Sequence, residues 1–119
     1  MSRPDPSRIR QRIRQLREER NQLEEQLLEI RALFRGSLVG HSTLRGGARR
    51  REPAYYVSRL DGGHRRFVYV RKPELERIRS LVEAYRRYQR GLRRLRVLSQ
   101  EALEALGTLR ESQDEGAER

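Results

Sequence analysis

The sequence predicts a mainly α fold, in which an antiparallel two-helix coiled-coil hairpin carries a small two-stranded β-hairpin inserted between its arms. Two segments space their apolar residues alternately three and four apart, which is the heptad pattern of a coiled coil. The segment between them has strand composition on both sides of a Gly-Gly turn. With 119 residues, 34% of them hydrophobic and 38% charged, the chain favours narrow helical seams over a large globular core. We therefore expect a single domain over residues 1–119.

The first predicted arm is a helix over residues 7–35. Asp5 is the expected N-cap with Pro6 at the first helical position, and Gly36 is the expected stop. Arg20 interrupts an apolar seam that otherwise consists of Ile9, Ile13, Leu16, Leu23, Leu27, Ile30 and Phe34. A seam this narrow needs a second helix to cover it.

The second predicted arm is a helix over residues 73–110 that begins at Pro73. Its seam consists of Ile78, Leu81, Tyr85, Tyr88, Leu92, Leu95, Ser99, Ala102, Leu106 and Leu109. Gly91 and Gly107 should weaken the helix locally, by about 1 kcal/mol each relative to Ala. The remaining tail, residues 111–119, is polar and is expected to fray.

Pairing the two arms as a hairpin fixes a register, although two parallel seams in a homodimer are an alternative. Matching the seams places Leu16 beside Leu92 and Ile9 beside Ser99. The second arm then extends beyond the first, and its uncovered apolar residues predict a docking surface for a second copy or a partner helix. This surface consists of Leu98, Ala102, Leu103, Leu106 and Leu109.

The insert divides into a basic Gly-rich loop over residues 36–53 and a β-hairpin over residues 54–70. The strands of the hairpin flank Asp61-Gly62-Gly63-His64, a sequence typical of a tight turn. Because a lone two-stranded hairpin is marginal in water, its aromatic residues are expected to anchor it on the helix ends. Those residues are Tyr55, Tyr56, Phe67 and Tyr69. Among them Tyr56 is the expected most exposed ring, available for stacking on an unpaired base.

The net charge of +11 is concentrated in the insert. Residues 35–72 hold nine Arg, one Lys and two acids, which is +8 of that total. The basic residues of the whole chain are 27 Arg and one Lys, a bias that a GC-rich genome produces without any binding function. Such bias chooses between Arg and Lys more than it sets the net charge. The concentrated positive charge therefore indicates a polyanionic partner.

Arginine suits phosphate because its planar fork donates two hydrogen bonds to phosphate oxygens. The candidate nucleic-acid-binding residues are Arg45, Arg49, Arg50, Arg51, Arg59, Arg65, Arg66, Arg71 and Lys72. Phosphate contacts position a ligand without reading its sequence, so DNA and RNA fit equally well. The alternative is that these residues form an ordinary solvated surface.

The sequence argues against catalysis. It has no Cys and two His, and it contains no Walker, Rossmann, zinc or nucleophile signature. We expect no catalytic residue, no metal, no cofactor and no small-molecule substrate. No run approaches 18 apolar residues and the N-terminus lacks the apolar core of a signal peptide, so the expected localisation is cytoplasmic. Attachment to an anionic membrane surface is not expected, because no Trp- or Phe-rich face accompanies the basic one.

Several short motifs resemble a family of small prokaryotic proteins of unknown function. The motifs are Gly36-Ser37-Leu38, Pro53-Ala54-Tyr55-Tyr56-Val57-Ser58, Gly62-Gly63, Tyr69-Val70 and Glu83-Ala84-Tyr85-Arg86-Arg87-Tyr88. The resemblance covers roughly residues 30–100 and implies a coiled-coil hairpin with a β-hairpin insert, but no particular activity. Members commonly carry a Cys-rich knuckle between the first two motifs. This chain has Arg45 to Arg51 there and no Cys.

These observations favour a nucleic-acid-binding protein that captures the phosphate backbone through the basic loop and hairpin, with the helices as a stalk. The alternative is a coiled-coil protein–protein adaptor without a nucleic-acid role. In that case the arms recruit a partner helix and the basic insert meets an acidic protein surface.

Overall fold

The computed structural model describes residues 5–41, 44–45, 48–49 and 53–118. Helix α1 spans Pro6–Leu28 and is followed by five strands, a single 3₁₀ turn at Lys72–Glu74, helix α2 over Leu75–Gln113 and a last 3₁₀ turn at Glu115–Glu118. The strands are β1 (Ser37–His41), β2 (Leu44–Arg45), β3 (Ala48–Arg49), β4 (Ala54–Asp61) and β5 (His64–Tyr69). Most of the described chain is helical, so the predicted mainly α class with a β insert is confirmed.

The chain divides into two compact units. The helical unit consists of Met1–Glu29 and Gln89–Arg119, and the sheet unit consists of Ile30–Tyr88. Helix α2 contributes residues to both units.

Helix α1 begins as the sequence predicts. The Asp5 carboxylate accepts a hydrogen bond from the backbone N–H of Ser7 at 3.0 Å, and Pro6 occupies the first turn. The helix ends at Leu28, however, so the prediction that it continues to residue 35 is wrong. The residues after it belong to the sheet unit, where the backbone N–H of Phe34 donates to the carbonyl oxygen of Leu81 at 3.0 Å.

The helical unit buries apolar side chains from both of its helices. Leu16 of α1 and Leu98 of α2 are 2% and 1% exposed. Each such leucine contributes about 1.5–3 kcal/mol to stability by leaving water. These two residues therefore make a large contribution to the core of this small unit.

Two ion pairs between the helices fix their direction and register. Arg12 bonds Glu101 at 2.9 Å, and Arg94 bonds Glu19 at 2.7 Å, so the helices run antiparallel. The hydrogen bond and the charge of Glu19 raise the pKa of Arg94 above its usual value. The predicted register places Arg12 beside Arg96 and Leu27 beside Leu81, so the observed contacts are shifted by five residues at Glu101 and by ten at Gly91.

Gly91 of α2 lies against Leu27 of α1. A Cβ on this glycine would lie 2.5 Å from Cδ2 of Leu27 and 3.1 Å from its Cγ. Gly91 is therefore a packing residue, because the leucine occupies the space that any larger residue would need.

The sheet unit contains three antiparallel strands in the order β1–β4–β5, rather than the predicted two. Strand β1 lies within the segment predicted to be a basic Gly-rich loop, and Val39 of β1 pairs with Tyr56 of β4. The third strand supplies the extra backbone pairing that a lone two-stranded hairpin lacks. Strands β2 and β3 form a separate two-residue pair.

The turn between β4 and β5 matches the prediction. Asp61 pairs with His64, and the two residues between them, Gly62 and Gly63, have φ angles of 57° and 82°. Positive φ at both central positions is the geometry of a type I′ turn, which glycine adopts without steric cost.

Gly36 lies where the chain enters β1. A Cβ at this position would lie 2.7 Å from the backbone oxygen of Ser58 and 3.1 Å from the ring of Phe34. The prediction that Gly36 stops the first helix is wrong, because α1 ends at Leu28. In the structure, the absence of a side chain at Gly36 lets the backbone before β1 approach Ser58 of β4 closely.

Candidate nucleic-acid interface

One face of the three-stranded sheet contacts α2 through Tyr55, and we call it the helix face. Val57 and Val70 on this face are 3% and 8% exposed. The guanidinium of Arg79, in α2, lies 5.4 Å from the centre of the Tyr55 ring. Tyr55 thus anchors the sheet on a helix, as predicted for the aromatic residues of the insert.

The opposite face carries the other aromatic rings, and we call it the open face. Strand pairing sets Tyr69 opposite Tyr56 and Phe67 opposite Ser58, so these side chains share one side of the sheet. Phe67 and Tyr69 are 58% and 55% exposed. The expectation that Phe67 and Tyr69 anchor the hairpin is therefore wrong. Side chains alternate along a strand, so Tyr55 faces α2 whereas Phe67 and Tyr69 point to the other side of the sheet.

Three rings form a connected row on the open face. The centres of Tyr56 and Tyr69 are 5.7 Å apart, and those of His41 and Tyr56 are 6.0 Å apart, both in edge-to-face geometry. Tyr56 is half-buried between its neighbours. The prediction that Tyr56 is the most exposed ring of the insert is therefore wrong. Phe67 and Tyr69 are more exposed because they lie on the edge strand.

Arg65 also lies on the open face, two residues from Phe67 on the same strand. Its Nη1 donates a hydrogen bond to Oγ of Ser58 at 2.7 Å, and Ser58 is buried. The guanidinium is thus held in place beside the exposed rings, with other N–H groups left to bind an anion.

Arg59 and Arg66 lie on the helix face and pair directly across β4 and β5. Like charges in this position repel each other. Arg59 lies 5.7 Å from the centre of the Phe34 ring, and Arg66 lies 3.5 Å from the carboxylate of Asp61. Both residues are exposed, so water screens these contacts and leaves the guanidinium groups accessible.

The other predicted phosphate contacts follow β5 or precede β4 in the sequence. Arg71 is exposed, and Lys72 begins the 3₁₀ turn before α2. Arg50 and Arg51 lie outside the described residues, and for Arg45 and Arg49 the structure describes the backbone alone. The structure thus places Arg59, Arg65, Arg66 and Arg71 in the sheet unit.

The predicted docking surface on α2 is only partly exposed. Leu98 is 1% exposed, so it belongs to the buried core and its assignment to that surface is corrected. Ala102 and Leu109 are half-buried, whereas Leu103 and Leu106 are 64% and 49% exposed.

Within the described part of the chain, no cluster of three or more His, Asp or Glu residues has the arrangement of a metal site. In that same part, no helix is long and apolar enough to span a membrane.

The sequence reasoning missed His41 and expected Phe67 and Tyr69 to anchor the hairpin, so it assigned none of these three residues of the open face to a binding surface. A signal for two of them is present in the sequence. A two-residue turn at Gly62-Gly63 fixes the pairing of the strands, and that pairing alone sets Tyr69 beside Tyr56 and separates Phe67 from Tyr55.

Comparison with known proteins yields no family model, no curated relative and no solved structure that matches this chain. The resemblance to the small prokaryotic family therefore stays a prediction, and the function of the chain is argued from its own geometry.

Proposed function

We propose that this protein binds nucleic acid through its sheet unit, by contacts from strand arginines to the phosphate backbone. The observation that carries the proposal is the direct pairing of Arg59 with Arg66 across two strands. A phosphate between or beside these guanidinium groups would relieve their repulsion, which costs the free protein some stability.

The surrounding charge supports the same reading. The segment 35–72 has a net charge of +8 and contains only two acids, Glu52 and Asp61. Asp61 pairs with Arg66 at 3.5 Å, at an exposed site where the pair is weak. A field of one sign over a small unit raises the rate at which a polyanion meets it.

The experiment is a salt titration of binding, with the full chain and a fluorescein-labelled oligonucleotide followed by anisotropy. About six phosphate contacts would make the logarithm of affinity fall with the logarithm of salt concentration, with a slope on the order of −5. The double variant R59Q/R66Q should bind more weakly, with the slope reduced in magnitude by about 2.

The matched control is R10Q/R14Q, which removes the same charge from exposed positions of α1 in the helical unit. This control should leave the slope close to that of the parent protein. A flat salt dependence, or equal losses for the two double variants, would contradict binding through the sheet unit.

A second candidate function is that of a protein–protein adaptor, and the observation that favours it is the exposure of Leu103 and Leu106 on α2. Apolar side chains one helical turn apart are suited to contact with a second helix. Sedimentation equilibrium tests whether that helix belongs to a second copy. A dimer that dissociates in L103E/L106E supports this function, and a monomer at all concentrations contradicts self-association.

A further inference from the structure

We infer that the open face binds single-stranded nucleic acid, with the rings of Phe67 and Tyr69 stacking on two bases of the strand. This inference rests on the proposed function. It adds a second contact surface to the sheet unit, on the face opposite Arg59 and Arg66, and specifies which form of nucleic acid the unit takes. Four observations support it: the exposure of the rings, their spacing, the contacts that orient them and the fixed cation beside them.

The two rings are exposed and lie outside the buried core of the unit. Phe67 and Tyr69 are 58% and 55% exposed on an edge strand, whereas the side chains that hold the sheet on α2 lie on its other face. Large apolar groups left in water next to each other indicate a surface that is covered by a ligand.

The spacing of the rings distinguishes single strands from duplex. Phe67 and Tyr69 are two residues apart on one face of a strand, so they are separated by about 6.8 Å along it. Bases stacked in a duplex follow one another at about 3.4 Å and expose only their edges. Two consecutive bases can therefore stack on both rings only in a strand that is extended and unpaired.

The ring of Tyr69 is oriented before a ligand arrives. Tyr69 contacts Tyr56 edge-to-face, and Tyr56 contacts His41 in the same way, so these contacts restrict the orientation of the Tyr69 ring. A stacking platform of fixed orientation loses little conformational entropy when it binds.

Arg65 supplies the charge that a nucleic acid needs and that an apolar protein partner does not. It lies on the same face and strand as Phe67, and its bond to the buried Ser58 at 2.7 Å fixes its position. A guanidinium beside two exposed rings matches the alternation of phosphate and base along a single strand.

The experiment measures the affinity of the full chain for labelled single-stranded oligonucleotides of ten deoxythymidines or ten uridines, and for a ten-base-pair duplex, at one salt concentration. The single strands should bind at least tenfold more tightly than the duplex. F67A and Y69A should each weaken single-strand binding by about 5- to 150-fold, which is the range for loss of one base–aromatic stack, and should change duplex binding little. F67Y keeps the ring and should retain single-strand affinity.

The matched control is V68A, because Val68 lies between the two rings, is 55% exposed and points to the other face. Its affinity should stay within twofold of the parent. Circular dichroism of each variant checks that the sheet has folded, which is expected because F67A removes an exposed side chain.

The outcomes separate this inference from the proposed function. If the duplex binds as tightly as the single strands, or if F67A and Y69A bind like V68A while R59Q/R66Q loses affinity, stacking is refuted and phosphate binding stands. If no oligonucleotide binds, both are refuted. If an acidic peptide of ten glutamates binds as tightly as the single strands and competes with them, the open face is a general anion surface and the inference is overturned.

Discussion

Two glycines in α2 should respond in opposite ways to the same substitution. Replacing either glycine by alanine gains about 1 kcal/mol from helix propensity. At Gly107 no described atom beyond the chain neighbours and the adjacent turns of helix backbone lies within 4 Å of the new Cβ, so we expect G107A to be more stable than the parent by about that amount. At Gly91 the new Cβ would lie 2.5 Å from Cδ2 of Leu27 and 3.2 Å from its Cδ1, so the leucine must move.

Overpacking of this kind costs about 1–3 kcal/mol. The propensity gain is common to both variants, so the difference in unfolding free energy between G107A and G91A is the cost of displacing Leu27. We therefore expect G91A to be less stable than G107A by about 1–3 kcal/mol, and equal to the parent or less stable by up to about 2 kcal/mol.

Urea unfolding followed by helical circular dichroism measures these differences, and thermal unfolding should separate the variants by about 3–6 °C for each kcal/mol. Adding L27A should remove the specific penalty of G91A, which a double-mutant cycle would report as a coupling energy. If G91A is stabilised as much as G107A, or if L27A leaves the penalty unchanged, the proposed contact between Gly91 and Leu27 is refuted.

Three further substitutions test the core and the sheet. L98A should destabilise the protein by about 2–5 kcal/mol in urea unfolding because Leu98 is fully buried, whereas L103A should stay within about 0.5 kcal/mol because Leu103 is 64% exposed. Equal losses would contradict the observed register of the helices. G36A should destabilise the sheet by about 1–3 kcal/mol, because its Cβ would lie 2.7 Å from the backbone oxygen of Ser58. A backbone atom cannot move aside by a change of side-chain rotamer. Amide hydrogen exchange in β1 and β4 measures this effect, and unchanged protection would count against the close approach.

The helices could be predicted from the sequence because their signals are local. The alternating spacing of apolar residues and the start at Asp5-Pro6 need no knowledge of the rest of the chain. The end of α1 could not be predicted in this way, since Ile30 and Phe34 continue the heptad spacing although they belong to the sheet unit. Tertiary packing overrides the periodic signal there.

The register of the helices could not be predicted because both helices repeat the same spacing of apolar residues. Two such patterns can be aligned at more than one offset. The observed pairing is distinguished by specific contacts: Arg12 bonds Glu101, and Leu27 packs against Gly91, which has no side chain. Neither contact is visible in the pattern of apolar residues.

The candidate site was predicted in part. The turn at Gly62-Gly63 and the strands on either side follow from residue types alone. Strand β1 does not, because the segment around it is rich in glycine and its pairing with β4 joins residues distant in sequence. With β1 in place, the open face becomes a three-stranded surface, and its aromatic row includes His41.

The position of β5 at the edge of the sheet has a consequence for any experiment with this protein. Phe67, Val68 and Tyr69 are three exposed residues in a row with high β propensity on a strand whose outer backbone groups lack a neighbouring strand among the described residues. Arg65 and Arg66 precede them on the same strand, where they act as gatekeepers, since two like charges oppose edge-to-edge addition of a second molecule. Replacing Arg65 and Arg66 together by uncharged residues would favour self-association through the β5 edge. Precipitation of the protein would then be mistaken for a loss of ligand binding.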